Sequence, residues 1–296
     1  MGVALGEAPP ITNFEAAKFC LRACLHWSTH ARWYSFLREH PCMRRATAAR
    51  PQLLWKLQRD YLQTGLPLKD KLAWLLQHHD WALRTLPSSL LTQVYTDAGH
   101  VLTTLELPEG PVELTLSACE RFAKEGEWVL SVRSSGERVA ALAFTVHRHS
   151  SDWCAHIGCL QGADGAGKQD QVRQATKALQ GLRPKQAVVL ALYSLLAALG
   201  VPTVLAVSNQ AHIYQAKTRR RDRVQADYNE FWLELGGRAL DRSTYLLPHH
   251  LNRKDLSEVP SKHRSQVRRR QALEDTLIAQ IGQALNQPLS PDALFH

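Results

Sequence analysis

Apolar residues recur at three- and four-residue spacing from Phe14 to about Leu86, as in Phe19, Leu21, Cys24 and Leu25, then Leu53, Leu54 and Leu57, then Leu72, Leu75 and Leu76. That period keeps apolar side chains on one face of a helix. Pro41, Pro51 and Pro67 cut the stretch into short helices, because proline has no amide hydrogen to give a helix interior. From about Val101 the pattern changes to alternation. Val112 to Leu116, Trp128 to Val132, Val139 to Val146 and Trp153 to Leu160 read as strands, separated by turn formers such as Ser134-Ser135-Gly136, and predict an antiparallel meander with short connections. Helices follow over Gln171 to Gln180 and Gln186 to Leu199, then a strand over Thr203 to Val207. A helix from about Ala211, another over Asp227 to Leu235, extended chain over Arg238 to Leu247 and a basic helix over Lys262 to Leu285 complete the order. The fold class that follows is α+β, with a helical region over residues 1–100, a mixed sheet with flanking helices over 101–285 and a tail over 286–296.

One apolar run, Val188 to Val207, is about as long as a membrane span. Gly200 and Pro202 interrupt it, so a helix there ends by Leu199, too short to cross a bilayer, and the β-branched Thr203 to Val207 becomes a buried strand. No transmembrane helix is expected. With 45% hydrophobic and 21% charged residues in 296, the chain can bury a large core, which excludes disorder as a global description. The frequent aromatics before Leu86 read as packing within that core. Six cysteines (Cys20, Cys24, Cys42, Cys119, Cys154, Cys159) form no CxxC pair and have no histidines at zinc-finger spacing. They read as free thiols in a reducing compartment, and no metal site is expected; the adjacent His78 and His79 fall on different parts of a helix surface. Met1 to Pro10 reads as a plain tail with no signal-peptide pattern, so a cytoplasmic location is expected.

Charge narrows the region of interest. The formal net charge is +9, and residues 153–296 carry 19 Lys and Arg against 12 Asp and Glu, while residues 1–152 carry 17 against 15. Residues 217–270 hold 14 basic and 7 acidic residues, including the runs Lys217 to Arg223 and Arg268 to Arg270. An anionic partner should meet this stretch: an anionic lipid surface at the inner membrane, an envelope component or a peptide. Nucleic acid is not the expected partner, because the runs lack interleaved aromatics and no reading module is recognisable. The segment from about Trp153 to Ile281 is therefore where function is expected.

Three constellations in that segment could carry chemistry. Gly162 to Gln169 matches the GxxxxGK of a phosphate-binding loop, but Gln169 stands where a Ser or Thr would ligate magnesium, and the stretch reads as a Gly-rich surface loop. Gly181-Leu182-Arg183-Pro184-Lys185 opens the apolar helix. Proline in the first turn, unpaired amides and two cations suit a phosphate or carboxylate, and equally an ordinary helix start with solvated cations. Ala206 to Tyr214 leaves a buried strand, where Asn209 can cap a helix or act in a site, and His212 and Tyr214 can exchange protons or be satisfied core residues.

Read together, Ile157 to Gly162, Ala175 to Lys185, Ala206 to Tyr214, Asp227 to Gly237 and Pro260 to Lys262 resemble, in order and spacing, the VirK/YbjX family of bacterial proteins. The resemblance implies a link to virulence and to tolerance of cationic antimicrobial peptides, and supplies no reaction. Cys159 and Gln180 stand where that family tends to have Gly and His, which argues against essential chemistry at both. The order of strand, helix start, helix, strand ending in Asn209 and helix is also similar to the GCN5-related N-acetyltransferases. That second resemblance implies an acyltransferase-like mixed sheet with acyl-CoA or another acyl donor. In it, Ile157 to Gln161 would line the thioester arm and Gly181, Arg183, Pro184 and Lys185 would hold phosphates. Asn209, His212 and Tyr214 would be the catalytic group, with Asn209 bonding the donor arm or a water and Tyr214 protonating the leaving thiolate. The usual Gly-rich phosphate loop of that fold is absent here. Two functions remain open: transfer of an acyl or aminoacyl group to an envelope component or peptide, and a non-enzymatic accessory role at the inner membrane surface.

Overall fold

The computed structural model describes residues 13–96, 99–118, 120–165, 167–214, 227–287, 289 and 291–295. Five helices come first: α1 (Asn13–Leu25), α2 (Trp27–Glu39), α3 (Pro41–Ala49), α4 (Leu68–Thr85) and α5 (Ser88–Val94). The three prolines stand where helices begin. Pro41 opens α3, Pro67 precedes α4, and Pro51 opens Pro51–Gln58, which is a 3-10 helix rather than an α-helix.

An antiparallel meander follows, of β1 (His100–Leu105), β2 (Val112–Ser117), β3 (Trp128–Ser134), β4 (Glu137–His149) and β5 (Asp152–Gly162). The first of these strands was not separately anticipated from the sequence. After β5 come α6 (Lys168–Ala178), α7 (Pro184–Ala198), β6 (Thr203–Val207), α8 (Tyr228–Glu234), β7 (Arg238–Ala239), β8 (Thr244–Leu246) and α9 (Ser261–Ala284). The sheet order is β1-β2-β3-β4-β5-β6-β8-β7, mixed because β5 and β6 run parallel while the other neighbours are antiparallel. The fold is α+β, with helices flanking a mixed sheet. No helix among the described residues is long and apolar enough to cross a membrane, and α7 is instead buried from Ala187 to Leu196 within the protein.

Two expectations are corrected. No helix begins at Ala211: residues 208–214 form turns in which His212 bridges to Gln63, and the following residues up to 226 lie outside those described, with the basic run Lys217 to Arg223 among them. The extended chain at Arg238 to Leu247 is a hairpin of two short strands, because Asp241 accepts from the amides of Ser243 and Thr244 and closes a turn.

One hydrophobic core runs from Trp33 and Leu75 in the helices through the sheet to α7 and α9. Polar groups are buried at the seam between the first helices and the sheet. Lys56 Nζ lies 2.6 Å from Glu127 Oε1, His79 Nε2 lies 3.1 Å from Glu127 Oε2, and His79 Nδ1 lies 2.6 Å from the Tyr95 hydroxyl. His78 accepts the Val146 amide on Nδ1, so both histidines are committed to packing. The five described cysteines are free thiols.

A second buried group has a measurable consequence. His147 stacks on Trp74 at 3.9 Å and lies 3.3 Å from His156. Burial lowers the His147 pKa to about 4 from 6.5, against the opposing bond to the Arg148 carbonyl. An unfolded chain takes up this proton as pH falls below 6.5 and the folded chain does not, so stability is full above 6.5 and is lost progressively down to about 4. The expected loss is about 3 kcal/mol, read as a falling urea midpoint between neutral and mildly acid pH. His147→Gln should remove its share of that slope and leave the part that the buried His156 and His78 contribute in the same direction.

Candidate functional site

The two parallel strands pair over only a short length. β5 pairs with β6 only from Cys154–Thr203 to Ile157–Ala206, then runs on to Gly162 while β6 ends at Val207. A bulge at Gly158 lies at this fork, since Ala143 pairs with Cys159 and Phe144 with Ile157. Only glycine fits there: a Cβ would sit 1.9 Å from the Glu125 carbonyl oxygen.

A cleft of about 820 Å³ opens beside the free end of β5. Its walls are Val139 and Gly162 from the sheet, Arg173, Thr176 and Lys177 from α6, Gln180, Gly181 and Arg183 from the turn, Pro184 to Gln186 from α7, Phe231 from α8, and Gln266 and Arg269 from α9; among the described residues Glu109 is the one carboxylate on these walls. Gly181, at φ 91°, reverses the chain after α6, and Pro184 then starts α7. The first amide to bond within α7 is that of Ala187, to the Arg183 carbonyl, which leaves the Lys185 and Gln186 amides at the open positive end of the helix dipole. Burial lowers the pKa of Lys185, whose Nζ is 5.8 Å from the centre of the Phe231 ring, while the nearby Cys159 acts in the opposite sense. Such a cleft is suited to a phosphate with an apolar extension.

Of the residues expected to bind a cofactor, Gly181, Arg183, Pro184 and Lys185 line this cleft together. Ile157 does not, being fully buried opposite Ala206, and Gln161 sits one residue short of the lining Gly162. Asn209, His212 and Tyr214 line no part of it. The Asn209 side chain is spent on α8: its Nδ2 donates to Asp227 at 2.8 Å and its Oδ1 accepts the Tyr228 amide at 2.8 Å. Asn209 does cap a helix, one that lies 19 residues further along the chain.

His212 belongs to a different group. It is 1% exposed, its Nε2 is 3.2 Å from Glu125 Oε1 without hydrogen-bond alignment, and its ring centre is 5.1 Å from Tyr228 and 5.7 Å from Tyr214. Tyr228 in turn is buried and stacks on Trp232 at 6.0 Å between ring centres. Burial first, then Cys159 and Glu125, push the Tyr228 phenol well above its ordinary pKa. Burial does the same to the Cys159 thiol, which keeps it protonated and unreactive. Glu125, His212 and Tyr228 thus gather near Gly158, and none of the three lines the cleft.

Glu125, Tyr228, Arg173, Lys177 and Phe231 were not singled out from the sequence. Tyr228 and Phe231 stand within a motif that carried the family resemblance. Glu125 had no signal at all, because its role comes from the close approach of its backbone to Gly158. In the Gly162 to Gln169 stretch, Asp164 holds Arg121 at 2.7 Å and Arg138 at 2.8 Å, a surface tie rather than a phosphate cradle.

The family described as "Protein of unknown function (DUF535)" matches residues 12–283. The chain belongs to this family. The uncharacterized protein YbjX of Escherichia coli K12 is 31% identical over 269 residues, covering 89% of this chain and 81% of that protein. A Haemophilus influenzae protein is 26% identical over 265 residues, covering 84% and 87%. A Mannheimia haemolytica protein called membrane protein LapB is 25% identical over 206 residues, covering 68% and 84%. Among solved structures, a cAMP-binding acyltransferase from Mycobacterium smegmatis matches with a TM-score of 0.29 and 12% identity, over 75% of this chain and 63% of that one. A superposition this loose says nothing about activity.

Proposed function

We propose that the protein transfers an acyl or aminoacyl group from a phosphate-bearing thioester, of the coenzyme A or carrier-bound type, to an amine or hydroxyl. The observation that carries this reading is the cation-lined cleft beside the end of β5 that runs on past its pairing with β6. The Lys185 and Gln186 amides, with Arg183 and Lys185, hold the phosphate. The thioester arm follows the unpaired end of β5 toward Gly158, and Gly162 at the mouth of that path has no side chain to obstruct it.

At the fork, His212, faced by Glu125, takes the proton of the attacking amine or hydroxyl. The acceptor atom bonds to the thioester carbonyl carbon, the C–S bond breaks, and the thiolate takes a proton from Tyr214; the proton held on His212 then passes to that phenolate, which restores both groups. Asn209 acts as a positioning residue that holds the start of α8, and with it Tyr228, against the fork. The family resemblance supports an envelope component or peptide as acceptor, with a role in virulence and antimicrobial-peptide tolerance.

Donor binding tests the reading. Arg183→Ala and Lys185→Ala are each expected to weaken binding of acyl-CoA by about tenfold or more, since each removes a charge-assisted contact to phosphate. Binding that is absent in the wild type, or unchanged in both variants, sinks the proposal. A peripheral accessory role at the inner membrane is the second reading, supported by exposed Lys262, Arg268 and Arg269 on α9; it requires salt-sensitive binding to anionic vesicles.

A further inference from the structure

Resting on the proposed acyl transfer, we infer that the donor is presented by an acidic carrier protein docked on the basic ridge that α9 and α6 raise beside the cleft mouth. From Ser261 to Leu273, α9 contains no Asp or Glu. Arg264 is turned toward the Val259 and Ser257 carbonyls, and Arg270 is paired with Glu274 at 2.9 Å. Lys262, Arg268 and Arg269 remain exposed, with no ion pair among the described residues, and the same holds for Lys177 and Arg183. Lys177, Arg183 and Arg269 stand on the cleft wall, so the ridge continues into the proposed phosphate site.

The character of the ridge favours an acidic protein over the other polyanions. Neither α6 nor α9 carries an exposed large apolar residue, so nothing on this face inserts into a bilayer. No exposed aromatic lies on either helix to stack a base. Charge alone is offered, which suits a carboxylate-rich helical surface whose phosphopantetheine arm enters the cleft. An acidic carrier would be steered to the mouth by the same cations that receive its phosphate.

The test is titration of the full-length protein with a purified bacterial acyl carrier protein in its phosphopantetheinylated form, at low and high salt. Binding should weaken steeply with salt. The double variant Lys262→Glu, Arg268→Glu, which changes no cleft-lining residue, should weaken it by about tenfold or more while acyl-CoA binding changes less than about twofold. Equal carrier binding by wild type and variant overturns the inference. So does tighter wild-type binding, through the same two residues, to tRNA or to phosphatidylglycerol vesicles. Carrier docking without acyl transfer counts against the proposed reaction and leaves the surface standing; transfer from acyl-CoA with no carrier docking does the reverse.

Discussion

Glu127→Ala is expected to lower the unfolding free energy by about 3–5 kcal/mol, the cost of stranding one member of a buried ion pair. Glu127 holds Lys56 at 2.6 Å and His79 at 3.1 Å, and all three side chains are at most 7% exposed. Its removal leaves an ammonium in the seam with the Ala123 and Gly126 carbonyls and the Tyr61 ring 5.2 Å away, and no carboxylate among the described residues bonded to it. Burial opposes ionisation of the Glu127 carboxyl, but the charge of Lys56 and the bond and charge of His79 outweigh it and hold the pKa well below the ordinary carboxylate range. The sign follows from that depression. The stabilisation is complete above the unfolded value of 4.5 and is lost only as pH falls below it toward the depressed folded value. Chemical denaturation of wild type and variant near neutral pH checks the magnitude. A difference under about 1 kcal/mol would mean the pair behaves like a surface ion pair.

His212→Ala carries the largest expected effect on activity. If His212 takes the acceptor proton, transfer should fall by about 10²- to 10⁴-fold with donor binding unchanged, because the residue does not line the cleft. Glu125→Gln keeps the shape of the partner and removes its charge, so a smaller loss with an altered pH profile separates an orienting role from packing. A variant that binds donor, keeps its thermal midpoint and transfers at the wild-type rate would end the assignment. Equal loss of donor binding and folding would show His212 to be a core residue only.

One wall of the cleft was legible in the chain because that part is local. Gly181 to Lys185 is a turn followed by a proline-started helix, and both are written in consecutive residues. The same holds for α7 and β6, where Gly200 and Pro202 divide an apolar run, and for the prolines that begin the early helices. The second cluster was half legible. His212 could be found at the exit of a buried strand, but its partner Glu125 lies 87 residues earlier in a short loop. The helix expected at Ala211 failed for a related reason: Ala211 and His212 bond to Gln63 and Thr64, from the first helical region, and that non-local pairing wins over helical pattern.

The sequence by itself determined the α+β class, the meander, the buried helix–strand pair, the family and the basic helix start at Pro184. Each rests on periodicity, turn chemistry or contiguous residues, which act within a few positions of one another. Only the tertiary structure decided that β5 pairs with β6 no further than Ile157 and that Glu125 reaches His212. It also showed that Asn209 serves α8 and that α6, α8 and α9 complete the cleft wall. Those features are contacts between segments far apart in the chain, set by which surfaces the core brings together, and no local pattern encodes the distance across them.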